Sequence, residues 1–154
     1  MISISSKEKQ ILSILQSDAT RPLHEIAEIL AVSKSAVWRA VRRFEDMGII
    51  EKRVTLLNQR KLGLPLTVYV SVRTNQHNAQ WSARFKEVVE SIPEVMEVHR
   101  MSGDLDYLIK AVVSDIDDYD RVYQSLIKAD LFDVSSSFVM ETLKTTTELP
   151  LHVR

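Results

Sequence analysis

The 154-residue chain has no cysteine, so it can form no disulfide, present no thiolate to zinc and use no thiol nucleophile. Its four histidines, His24, His77, His99 and His152, are scattered without metal-ligand spacing, and neither a metal nor a cofactor is expected. No apolar run approaches the roughly 18 to 20 residues that cross a bilayer. The polar start, Met1 to Gln10, lacks the apolar centre of a signal peptide. A cytoplasmic protein without membrane attachment is expected. Walker, dinucleotide-binding, nucleophile-elbow and HExxH patterns are all missing, so the common enzyme classes have no starting point and no catalysis is expected. What is present is ordinary: 45% hydrophobic and 27% charged residues, a composition that argues against disorder and fibrous repeats.

The net charge of −1 conceals an asymmetry. Residues 1–61 carry eleven Lys/Arg against seven Asp/Glu, or +4, and residues 62–154 carry nine against fourteen, or −5. A basic half joined to an acidic half is the pattern of a polyanion-binding module carried by a separate body.

Within the basic half, Lys7 to Ser17 places Ile11, Leu12 and Leu15 on one face of a helix opened by Ser5 or Ser6. Pro22 suits the first position of a second, short helix with Leu23, Ile26, Ala27 and Leu30 in one stripe. Ala31-Val32 makes a tight break. Ser33 then caps a third helix with Val37, Ala40, Val41, Phe44 and Met47 at helical spacing, stopped by Gly48. A short helix, a turn and a longer helix form the geometry that lays a recognition helix in the major groove of double-stranded DNA. At about 100° per residue, Ser35, Arg39, Arg42 and Asp46 lie opposite the core direction, with Trp38 and Arg43 flanking them. Arginine reads guanine edges or holds phosphate, serine bonds either, and the helix N-terminus at Ser33, Lys34 and Ser35 favours phosphate. Taken alone, such a face also fits a solvated basic surface; the preceding helix and turn favour DNA. After Gly48, the β-branched stretch Ile49 to Leu57 predicts a short strand or wing, with Lys52 and Arg53 as backbone contacts. Asn58 to Gly63 breaks the pattern as a linker. The expected domains are therefore 1–62 and 63–154.

The run Ile11-Leu12 to Leu15, Glu25-Ile26-Ala27, Val32-Ser33, Arg39 to Glu45 and Gly48-Ile49-Ile50 resembles the Lrp/AsnC, or feast/famine, DNA-binding domain in order and spacing. Asn58 to Gly63 resembles that family's linker. Two departures stand out. The acidic residues usual before the first helix are replaced by Ser6, Lys7 and Lys9, and the glycine usual in the turn is Ala31, at a cost of about 1 kcal/mol if the position is left-handed.

In the acidic half, Leu66 to Thr74 alternates apolar and polar residues as a strand does. Trp81 to Ser91 reads as a helix, Val95 to Met101 and Tyr107 to Val113 as strands, Ile116 to Ile127 as a helix and Val134 to Leu143 as a fourth strand. The order βαββαβ predicts an α+β, ferredoxin-like domain behind a winged helix-turn-helix. Helices cover one face of such a sheet. The other face, expected to be alternately apolar, predicts a homodimer, which also suits a palindromic DNA site.

Met101-Ser102-Gly103-Asp104-Leu105-Asp106-Tyr107 carries a glycine that lets backbone approach a ligand and two carboxylates that can hold an ammonium group. The same residues fit a plain Gly-Asp hairpin turn. Their resemblance to the G-D-x-D-Y turn of the Lrp/AsnC regulatory domain implies an amino-acid effector bound between neighbouring dimers, with assembly to an octameric ring. Ser135, Ser136 and Ser137 resemble the family's last strand and are further effector-site candidates. The resemblance also admits sirohaem decarboxylases, with His99 and Tyr107 in catalytic roles; an intact basic recognition face is unneeded there. An architectural DNA-binding protein without effector differs only at the Gly103 turn.

Overall fold

In the computed structural model, which describes residues 3–151, Ser5 opens the first helix through a reciprocal capping box. Its hydroxyl accepts from the Glu8 N–H at 3.3 Å, while the Glu8 carboxylate accepts from the Ser5 N–H at 2.8 Å. Helix α1 (Ser6–Ser17) buries Ile11, Leu12 and Leu15. Pro22, expected as the first helical residue, is instead the N-cap of α2 (Leu23–Ile29), one position before the helix begins. Its missing N–H is no loss there, because the first N–H groups of a helix have no intrahelical partner.

The turn after α2 closes as a Schellman motif. The Ala31 N–H donates to the Glu28 carbonyl at 3.2 Å and the Val32 N–H to the Ala27 carbonyl at 3.0 Å, with Ala31 left-handed at φ 51°. The Lys7 ammonium satisfies the Leu30 carbonyl at 2.7 Å. Ser33 caps α3 (Lys34–Asp46), accepting from the Ala36 N–H at 3.2 Å. Gly48, at φ 67°, ends α3 with the same pair of bonds, to the Glu45 and Phe44 carbonyls. Ile26, Val37 and Phe44 lie wholly buried among the three helices.

The expected wing strand does not form. Residues 51–58 hold no strand; Ile49 and Ile50 pack on the helical core, and Val54, Leu56 and Leu57 are exposed. The β-branched run has strand propensity, but among the described residues no second strand in this unit offers it a ladder.

The second unit holds β1 (Leu66–Arg73), α4 (Ala79–Glu90), β2 (Val95–Arg100), β3 (Tyr107–Val113), α5 (Ile116–Leu126) and β4 (Asp133–Phe138). The sheet is antiparallel in the order β2-β3-β1-β4, which is the ferredoxin-like arrangement expected. Helix α4 starts at Ala79, two residues before the expected Trp81, because Asn78 accepts from the Trp81 N–H at 2.8 Å. Strand β4 stops at Phe138, five residues short of expectation; one more bond follows, from the Val139 N–H to the Thr67 carbonyl at 2.9 Å, and since β1 begins at Leu66, residues after Met140 have no β1 residue opposite them. Val68, Val70, Val72, Ile109, Ala111 and Val113 face α4 and α5, packing on Trp81, Phe85, Val89, Val122 and Leu126.

The other sheet face differs from expectation. Alternation and register put Thr67, Tyr69, Ser71 and Arg73 of β1, Leu108, Lys110 and Val112 of β3, Glu97 and His99 of β2, and Ser135 and Ser137 of β4 on it. It is mixed rather than apolar: Lys110 donates to Glu97 at 2.7 Å, and of its large apolar residues Tyr69 and Leu108 are accessible while Val112 is buried. The apolar half of each strand's alternation went to the helix side.

The chain divides into residues 3–55 with 143–151, and residues 56–142. The boundary after residue 62 in the sequence reading falls inside the second unit, where Gln59 donates to the Thr67 hydroxyl at 3.0 Å. The segment 143–151 joins the first unit rather than the second. Gln16 holds Leu149 by two bonds of 3.0 Å, amide to carbonyl and N–H to side-chain oxygen, and Leu151 packs against the helical core.

Candidate DNA-binding face and effector turn

The amphipathic pattern of α3 points Val37, Ala40, Val41 and Phe44 inward and leaves Lys34, Ser35, Trp38, Arg39, Arg42 and Arg43 exposed. These exposed groups are not equivalent. Arg43 reaches back to Glu8 of α1 at 2.9 Å and lies 5.6 Å from the Phe44 ring centre, so it fastens two helices together. The Ser5 N–H, then its hydroxyl and Arg43, hold the Glu8 carboxyl below its usual range against the opposing effect of burial. Arg42 pairs with Glu45 at 3.4 Å and Arg53 with the same carboxylate at 2.9 Å. Glu45 therefore gathers two of the expected DNA contacts onto one side of α3. Lys34, Arg39 and Lys52 have no ion pair among the described residues. The Ser33 hydroxyl is occupied by its capping bond and lies 3.2 Å from the Ser35 hydroxyl.

The turn between β2 and β3 is held at its base, where the Met101 N–H donates to the Asp106 carbonyl at 2.8 Å. Gly103 has φ 106°, and a Cβ there would meet nothing within 4 Å. Backbone conformation, not lack of room, requires glycine at this position. Ser102 and Asp104 are exposed, and the Asp104 carbonyl accepts from Arg73 Nε at 2.9 Å. Asp106 is committed differently: one carboxylate oxygen accepts from the Thr74 N–H at 2.8 Å, pinning the end of β1. Tyr107 packs 4.6 Å from the Phe85 ring and 5.8 Å from Trp81, on the helix side. Beside the turn lies a polar cavity of about 230 Å³ lined by Thr74, Gln76, His77, Arg100, Asp106 and Tyr107.

The three serines do not act as one group. Ser136 faces the helices and bonds the Tyr119 hydroxyl, whose pKa is pushed up by burial, whereas Ser135 and Ser137 lie on the open face. All three sit on the edge strand opposite the one that enters the turn. His99 and Tyr107 lie on opposite faces of the sheet, so this chain does not assemble the pair that a decarboxylase would use.

The sequence matches the Lrp/AsnC ligand binding domain over residues 67–149 and the winged helix-turn-helix DNA-binding domain over residues 4–51. The chain belongs to the Lrp/AsnC family. Like its relatives, this Lrp/AsnC protein is a DNA-binding transcriptional regulator. It is 45% identical over 143 residues to the glutamate uptake regulatory protein of Zymomonas mobilis, covering 92% of this chain and 87% of that one. It is 40% identical over 146 residues to the DNA-binding transcriptional activator DecR of Escherichia coli, covering 94% and 96%. Among solved structures, an AsnC-family regulator from Agrobacterium tumefaciens superposes with a TM-score of 0.91 at 44% identity, covering 96% of this chain and 97% of that one. A Neisseria meningitidis regulator in complex with L-Met gives a TM-score of 0.91 at 28% identity, covering 97% of both chains.

Two residues beside the candidate sites of this Lrp/AsnC regulator were not singled out in the sequence reading. Glu45 stands three residues after Arg42, a spacing that does announce a pair on a helix. Arg100 ends β2 opposite Tyr107, so the β2–β3 hairpin itself sets it near Asp106, and the cavity is completed by Thr74, Gln76 and His77 of the β1–α4 loop, which no local pattern announces.

Proposed function

We propose that this regulator reads its operator with the outer face of α3 and responds to a free amino acid bound at the 101–107 turn, working in the cytoplasm as a dimer or octameric ring of dimers. The observation that carries the reading is the chemistry of α3: an exposed strip of Lys34, Ser35, Trp38, Arg39 and Arg42, with Arg39 unpaired among the described residues. Lys52 and Arg53 extend it with phosphate contacts. Met101 and Ser102 frame the effector turn, Gly103 brings backbone close to the ligand, Asp104 takes its ammonium group, and Arg100 is placed to take its carboxylate. Asp106 and Tyr107 hold the turn in shape. Ser135 and Ser137 would come from a second copy. The relatives named for glutamate uptake and solved with L-Met support an amino acid as the ligand class. No catalytic role is assigned.

The test is a thermal-shift screen of the twenty amino acids on the full chain, repeated on Asp104→Ala and Gly103→Val. A ligand at one hundred times its dissociation constant stabilises the folded state by about 2.7 kcal/mol, and the shift should shrink in both variants. If no amino acid moves the wild-type transition, the protein is an effector-independent DNA binder.

A further inference from the structure

Trp38 is 55% exposed in the middle of the recognition helix, whereas Trp81 is 5% exposed and donates its indole N–H to the Asp130 carbonyl at 3.2 Å. Among the described residues, Trp38 has no ring packed against it and no partner for its indole N–H. The fold of the helical unit does not use this side chain. At about 100° per residue it stands one step from the buried Val37, on the flank that also carries Lys34 and Arg42 one turn away on either side.

We propose that Trp38 reads the 5-methyl group of a thymine in the major groove, an inference that rests on α3 being the DNA-contacting helix. The argument is chemical. An indole offers a broad apolar face and a single donor, and among the base edges of the major groove the apolar feature is the thymine methyl. Lys34 and Arg42 on its flanks, and Arg39 beside it, anchor phosphates or guanines and bring the ring down to the base edges. The polar surroundings of Trp38 disfavour a protein partner, which a contiguous apolar patch would mark.

The experiment uses an operator fragment enriched from genomic DNA by the full-length wild-type protein, with each thymine replaced singly by deoxyuridine, which removes one methyl. Burial of one such group is worth about 0.8 kcal/mol, so at one thymine per half-site the wild type should lose about fourfold in affinity. Trp38→Ala should bind more weakly and be indifferent to that replacement, while Trp38→Phe should keep the discrimination; both should melt near wild type, since the ring is exposed. The inference is overturned if no thymine is sensitive, if Trp38→Ala keeps the same sensitivity, or if Trp38→Ala alters assembly without altering DNA affinity. Arg39→Ala on the same DNA separates the two levels. Weakened binding by Arg39→Ala with thymine-insensitive wild type leaves the recognition helix standing and removes only the methyl contact; a wild type that binds operator and random DNA alike removes both.

Discussion

Asp118 is a buried acid whose carboxylate collects the Ser114 N–H at 2.9 Å, the Ser114 hydroxyl at 3.1 Å and the Arg121 guanidinium. The Ser114 N–H, followed by its hydroxyl and Arg121, holds the carboxyl below the ordinary carboxylate range although burial opposes this. A depressed folded-state pKa means that the stabilisation is present above the unfolded value and is lost as pH falls through the folded one. Asp118→Asn is therefore expected to cost about 1 to 3 kcal/mol at neutral pH in urea unfolding, with the gap to wild type closing below about pH 4. A gap that stays constant from neutral pH to pH 3 would show that charge is not the source. The same contrast between paired and unpaired charges runs along α3. There Arg43 and Arg39 look alike in sequence, but Arg43 pairs with Glu8 and Arg39 has no ion pair among the described residues.

At the scale of elements, the helices were legible because their apolar residues recur at helical spacing and their ends carry recognisable caps: Ser33 and Gly48 stand where the sequence placed them, and Ser5 is the cap of the two serines, Ser5 or Ser6, that it offered. Strand ends were less legible, since a strand cannot run past its neighbour, and β4 could not reach the expected Leu143 because β1 begins at Leu66. The wing failed for the same reason. In the turn between α2 and α3, where the family resemblance implies glycine, Ala31 is left-handed at φ 51°. Ala31→Gly removes a steric cost of about 1 to 2 kcal/mol and adds about 0.5 to 1 of chain entropy, so a net stabilisation of about 0.5 to 1 kcal/mol is expected. Thermal unfolding should show a higher midpoint; an unchanged one would mean that the Schellman bonds already absorb the strain.

For the whole molecule, the mixed open face of the sheet changes the basis for self-association. Tyr69 of β1 and Leu108 of β3 are that face's accessible apolar groups, set beside the Lys110–Glu97 pair and Ser135 and Ser137, while Val112 is buried. Such a face buries itself against a second copy only if the polar groups find partners there, so the contact should be sensitive to single charges. Light scattering on the full chain is expected to show a dimer or larger, and Leu108→Glu to drive it toward monomer. A wild-type monomer at micromolar concentration would end the dimer proposal and the intersubunit effector site with it.

The division of labour between sequence and tertiary structure follows from the range of the interactions. Helix periodicity, caps and the alternation of β1 are local patterns, set by residues a few positions apart, and the contrast between a basic and an acidic half is a sum over each half; the chain carries all of these openly. What only the folded structure decided were the long-range choices. These include which arginine of α3 is spent on Glu8, which serine of β4 meets Tyr119, how far β4 runs along β1, and that Leu149 and Leu151 belong with α1 and the helical core. Each depends on a partner distant in sequence, and side-chain pattern alone does not reveal which distant groups the packing will bring within reach.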